Sequence, residues 1–148
     1  MLSTPHLLVG AAIVKIVPDP IISLPLAFMS HFALDYIPHW DGSPKTPFPK
    51  KMFAGIALDY ALGASLVLTL TIGYENQYLL WLGAFLGTLP DFILGSYKHL
   101  GGVLKNYAFV RIPNEFHMSI QRNLPLVSGL LMSGAVAFIA ILILLPQN

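Results

Sequence analysis

The segment Ser30-His31-Phe32-Ala33-Leu34-Asp35-Tyr36-Ile37-Pro38-His39-Trp40-Asp41 sets two histidines and two aspartates at the end of an apolar stretch. Helical residues four apart share a face, with Cβ atoms about 5–6 Å from each other. His31 and Asp35 can therefore aim an imidazole and a carboxylate at one point, where a cation would bridge them. Pro38 cannot continue the hydrogen-bond ladder, so a helix is predicted to end near Ile37 and to release His39 and Asp41 into the first turn of a loop. There they would orient ligands or act as a general base at the mouth of a site. A bound ion would also offset the cost of keeping polar groups near hydrocarbon. The plainer reading of the same residues is an interfacial anchor.

The elements that must position these residues are membrane helices. The chain has 148 residues, of which 55% are hydrophobic and only 10% charged, with a mean hydropathy of +0.70; a soluble domain carries about 25% charge. The runs Ile21–Ile37, Met52–Ile72, Tyr78–Ile93 and Leu124–Leu145 are each near the roughly 17–25 residues that a spanning helix needs. Leu7–Val17 is short for a span and is predicted as a half-helix or tilted element, with Thr4 as its N-cap and Pro5 at its first position. Asp19, between Pro18 and Pro20, marks the turn after it. The predicted fold is an all-α integral-membrane bundle. It forms one domain over residues 1–148, with four transmembrane helices, a short N-terminal half-helix and an interfacial loop segment. The start Met1-Leu2-Ser3-Thr4, with His6 where apolar residues belong, predicts no cleaved secretory signal.

Lys45, Lys50 and Lys51 follow the first span, and Lys98, Lys105, Arg111 and Arg122 lie between the third and fourth. By the positive-inside rule both loops are cytoplasmic; only Lys15 dissents. On that map His6, the His31 to Asp41 segment, Asp91 and His117 all fall at the cytoplasmic leaflet. Asp59 lies eight residues into the second span, roughly 12 Å down at about 1.5 Å per residue. A carboxylate inside a span costs a few kcal/mol and usually faces a partner or a wet cavity. Gly55 and Gly63 flank Asp59, and Gly83 and Gly87 lead up to Asp91 in the same four-residue step. Such stripes let helix backbones approach closely, so each aspartate is predicted to face a helix contact, as a ligand or as part of plain packing. Pro90 is expected at a helix end. Pro113-Asn114 reads as a helix start, with Asn114 capping and His117 reaching inward.

Other features exclude more than they assign. The chain has no cysteine, so a metal would be held by imidazole, carboxylate, backbone or water. A net charge of +1 offers no concentrated basic face for nucleic acid. No phosphate-cradling glycine loop or serine-nucleophile elbow is present. Pro44, Pro47 and Pro49 predict a stiff, extended first cytoplasmic loop. Tyr36, Trp40, Tyr74, Tyr78, Trp81, Tyr97 and Tyr107 read as an aromatic belt. Ala33-Leu34-Asp35-Tyr36 recurs as Ala57-Leu58-Asp59-Tyr60, although the flanks do not match.

Thr4-Pro5-His6-Leu7-Leu8-Val9-Gly10, Ser30-His31-Phe32-Ala33-Leu34-Asp35 and Gly87-Thr88-Leu89-Pro90-Asp91 resemble the motifs of small bacterial and archaeal integral-membrane proteins called membrane-bound metal-dependent hydrolases. That family is named for a distant similarity to zinc-dependent phospholipase C. The resemblance implies that His6, His31, Asp35 and Asp91 are metal ligands, and it places the chain in a prokaryotic inner membrane. Phe116-His117-Met118-Ser119 is the nearest match to the family's H-R-G-x-T-H-S segment and lacks its arginine. The S-H-x-x-x-D element also precedes the P-D element, the reverse of the usual order.

If the chain is an enzyme, its residues predict metal-assisted hydrolysis. His6, His31, Asp35, Asp59, Asp91 and His117 are the candidate ligands for one or two divalent ions, and His39 and Asp41 the candidate catalytic groups. Zinc suits this donor set best, with manganese or iron as alternatives. A site open to the inner leaflet implies an amphiphilic substrate such as a phospholipid or a polyprenyl phosphate. The rival readings are a noncatalytic carrier of protons or metal ions and a structural membrane subunit. The sequence sets no oligomeric state.

Overall fold

Hydrocarbon forces a backbone to close its own hydrogen bonds, and the apolar runs of this chain do so as helices. The computed structural model describes residues 1–40, 50–99 and 106–146. Its helices are α1 (Ser3–Ile16), α2 (Pro20–Tyr36), α3 (Lys50–Leu70), α4 (Gln77–His99), α5 (Ala108–Ile120) and α6 (Leu126–Leu144). Among the described residues there is no strand, so the chain is all-α as predicted. Asp41 and the Pro44, Pro47 and Pro49 loop lie outside the described residues.

Among the described residues three helices are long and apolar enough to cross a membrane, through Phe53–Leu70, Gln77–Tyr97 and Leu126–Leu144, where the sequence predicts four. The missing one is the run Ile21–Ile37. It forms α2, whose 17 residues rise about 25 Å, short of a hydrocarbon core of about 30 Å.

The short N-terminal helix is the centre of the packing rather than an accessory half-helix. α1 touches α2, α3, α4 and α6, and Leu7, Leu8, Ala11, Ala12 and Val14 are buried in the core. Its small residues allow this. A Cβ on Gly10 would collide with the Gly83 carbonyl, and one on Gly87 would sit 2.5 Å from the His6 carbonyl oxygen. The predicted glycine stripe thus works at Gly63, Gly83 and Gly87, while Gly55 faces open space.

Capping fixes where the helices start and stop. α1 begins at Ser3 with no side-chain cap of its own, which corrects the expectation for Thr4. Its first amides instead donate to the Asp59 carboxylate of α3, from Ser3 N at 2.5 Å and Thr4 N at 3.1 Å. Asp19 caps α2 by accepting from Ile21 N at 2.9 Å, and α2 stops at Tyr36, before Pro38 as predicted. α4 does not stop at Pro90 but continues to His99. α5 starts at Ala108, not at Pro113. Asn114 is therefore mid-helix, where its Nδ2 donates back to the Val110 carbonyl at 2.6 Å.

Lys15, the cation that fits the charge rule poorly, has a structural task. Its Nζ donates to the Ile143 and Leu145 carbonyls at 2.8 and 2.7 Å, which are orphan acceptors at the end of α6. Lys15 thus ties the end of α1 to the end of α6, while Asp59 ties the start of α1 to α3. α4 runs antiparallel to α1, because Gly87 meets His6 and Gly83 meets Val14. The start of α1, the end of α2 and the second half of α4 therefore share one end of the bundle.

Candidate metal centre

Four ligand atoms converge at that end. His31 and Asp35 from α2, Asp91 from α4 and His117 from α5 each offer one, and all lie within 4.8 Å of one another. The i,i+4 pair read from the sequence is closed, with His31 Nε2 3.3 Å from Asp35 Oδ2. His117 Nε2 is 2.6 Å from the same oxygen and 3.1 Å from His31 Nε2. Asp91 Oδ1 stands 3.5 Å from His31 Nε2 and 3.8 Å from His117 Nε2.

The protonation of His31 follows from its backbone partner. Its Nδ1 is 2.8 Å from the Gly87 carbonyl, which can only accept, so Nδ1 carries the proton. In the neutral ring Nε2 then presents a lone pair toward two carboxylates and a second imidazole. Lone pairs and anions gathered in a buried place repel unless a positive charge stands among them. The Met1 ammonium, 2.5 Å from Asp35 Oδ1, supplies one such charge, and an imidazolium proton or a metal ion would supply another among the Nε2 atoms and Oδ2. A tetrahedral ion with bonds of about 2.0–2.1 Å sets its ligands roughly 3.3–3.4 Å apart; the separations around His31 fall close to that value, while His117 stands nearer to Asp35, at 2.6 Å, and farther from Asp91, at 3.8 Å. The donor set of two imidazoles and two carboxylates therefore fits a divalent ion.

The surroundings hold the ligands still. His6, His31 and Asp35 are fully buried and His117 is 1% exposed. The His31 ring stacks on His6 at 4.2 Å and meets His117 edge-on at 4.7 Å. Backbone acceptance of the far ring nitrogen, as Gly87 provides for His31, is the usual way a ligating imidazole is oriented. Pro90 removes the ladder donor of the neighbouring Leu86 carbonyl, one residue before Gly87. The Asp91 side chain is 35% exposed, which gives the group its contact with the exterior.

The remaining predicted residues divide. His6 joins the group's margin, its Nε2 3.2 Å from Asp35 Oδ1 and its Nδ1 buried with no hydrogen-bond partner. His39 is fully buried rather than at a mouth, with Nε2 3.9 Å from Asp35 Oδ1. It is fixed from both sides, because its backbone N–H donates to the Arg122 carbonyl at 3.0 Å and its carbonyl accepts from Leu124 N at 2.7 Å. Asp59 stands outside the group and serves α1 as its cap, also accepting from Thr4 Oγ1 at 2.8 Å. Asp41 lies outside the described residues.

Two contacts escaped the sequence reading. Gln121 Nε2 reaches Asp35 Oδ2 at 3.4 Å; its place four residues after His117 was the available signal. The Met1 amino nitrogen lies 2.5 Å from Asp35 Oδ1, for which the sequence offers no signal. No protein-family model matches the chain, and neither does any curated protein or solved structure.

Proposed function

We propose that the protein is a metal-dependent hydrolase of a prokaryotic inner membrane, acting at the cytoplasmic face on an amphiphilic phosphate ester such as a phospholipid or a polyprenyl phosphate. The observation that carries this reading is the His31 lone pair, fixed by Gly87 and directed at Asp35, Asp91 and His117. His31, Asp35, Asp91 and His117 would hold the ion, for which zinc is the first choice and manganese or iron the alternatives. Once bound, such an ion polarises a phosphoryl oxygen and lowers the pKa of water toward about 7. In the reaction a water oxygen bonds to phosphorus, the ester P–O bond breaks, and the leaving oxygen takes up a proton. The half-open position of Asp91 supports a substrate approaching along α4, and Gln121 is placed to hold the Asp35 carboxylate in orientation.

Confinement of the polar group to one end of the bundle supports hydrolysis over conduction, which needs titratable groups along a path. The resemblance to membrane-bound metal-dependent hydrolases supports it too, since the S-H-x-x-x-D and P-D elements both enter the group. The test is hydrolysis of a phospholipid and of a polyprenyl phosphate in mixed micelles by detergent-purified protein supplied with zinc or manganese. Product that forms with metal, and falls at least about 100-fold in Asp91→Asn, is the expected result. Metal-loaded protein that is inert on both substrates would contradict it.

A further inference from the structure

The two oxygens of Asp35 face two different sets of imidazoles. Oδ2 faces His117 at 2.6 Å and His31 at 3.3 Å, the set that includes Asp91. Oδ1 faces His6 at 3.2 Å and His39 at 3.9 Å, in both cases through Nε2. His39 is oriented by the same means as His31. Its Nδ1 lies 2.7 Å from the Ile37 carbonyl, an acceptor only, so its neutral ring also directs a lone pair from Nε2 toward an Asp35 oxygen. Oδ1 and the two Nε2 atoms that face it thus form a second group of electron-rich atoms, beside which the Met1 ammonium, 2.5 Å from Oδ1, is the positive charge.

We propose that Asp35 bridges two divalent cations, one held through Oδ2 with His31, His117 and Asp91, the other through Oδ1 with His6 and His39. This rests on the metal-binding reading of the first group and extends it. A carboxylate that bridges two ions suits the roughly 3.5–4 Å spacing of two-metal sites, which clamp the attacking and leaving oxygens of a phosphoryl group. Three protein ligands leave the second ion with open positions, the pattern of a reactive rather than a structural site. Asp35 and Asp91 together neutralise one divalent ion; a second leaves the centre with a net positive charge, which favours an anionic phosphate ester over a neutral acyl ester. The Met1 amino group, 2.5 Å from Oδ1, is what the second ion would displace or recruit.

Manganese is the probe. Detergent-purified full-length chain is stripped with chelator, dialysed against Mn²⁺, and examined by elemental analysis and electron paramagnetic resonance. Two ions per chain with an exchange-coupled spectrum are expected in the wild type. One ion with the spectrum of an isolated centre is expected in His6→Ala and in His39→Ala. One isolated ion in the wild type, unchanged in His6→Ala, would overturn the second site and leave the first standing, with Oδ1 served by the Met1 amino group. Two ions without coupling would overturn the bridge through Asp35. No retained ion would overturn the metal reading itself. The wild-type measurement decides without any variant, so poor folding of a histidine variant does not leave the proposal open.

Discussion

The Gly87 carbonyl oxygen accepts the Nδ1 proton of His31 at 2.8 Å, and through that one bond the packing of α4 determines which nitrogen of a buried imidazole is free to bind. The same glycine lies against the His6 carbonyl of α1. Helix packing and ligand orientation are therefore one arrangement at this point, and a change made for either reason disturbs both.

Gly87→Ala tests that linkage. The added methyl would stand 2.5 Å from the His6 carbonyl oxygen, so α1 and α4 must separate. Overpacking of this kind costs about 1–3 kcal/mol. A lower thermal midpoint in detergent, together with weaker metal retention, is expected. Gly55→Ala meets nothing within 4 Å inside α3 and is expected to keep or raise the midpoint, by up to about 1 kcal/mol, because alanine is the better helix former.

Asp59 separates a cap from a ligand. Removing a helix cap costs about 0.5–2 kcal/mol, so Asp59→Ala should lower the thermal midpoint while leaving the metal content unchanged. Asp59→Asn, which keeps an acceptor for Ser3 N and Thr4 N, should recover much of the loss. Metal lost from both variants in proportion would return Asp59 to the ligand set.

The contrast between Asp35 and Asp59 shows how far the sequence can be read. Both stand in the tetrapeptide Ala-Leu-Asp-Tyr, yet one is the buried hub of the histidine group and the other caps a neighbouring helix. Only tertiary packing decides between them, because a buried carboxylate is satisfied equally well by backbone amides or by imidazoles. The His31 and Asp35 pair was legible because helical spacing is local. Convergence of His6, Asp91 and His117 was legible because the order of the apolar runs sets all three at one end of the predicted bundle. Helix bounds were less so at Pro90 and Pro113, where packing carries a helix through a residue that usually ends one. The central place of α1 was hidden because length suggests an accessory element, whereas Gly10, Ala11 and Ala12 are what let four helices close around it.

The pH dependence of metal retention follows from the ligands. Imidazole binds a cation only as the neutral base, and its ordinary pKa is about 6.5. Retention is expected to be strongest at alkaline pH and to be lost as pH falls, because protons then compete with the ion for the imidazole nitrogens. Metal content after equilibration at pH 8 and pH 5 checks this; equal occupancy at both would show that imidazoles are not the ligands.

Elemental analysis of detergent-purified protein after mild chelation and dialysis, run on wild type beside His31→Ala and Asp91→Asn, tests the metal centre most directly. Near-stoichiometric zinc, manganese or iron in the wild type that falls at least several-fold in both variants is the predicted result. Absence of metal from folded wild type, or retention unchanged in His31→Ala, would contradict it and leave the histidine and aspartate group as a buried hydrogen-bonded cluster.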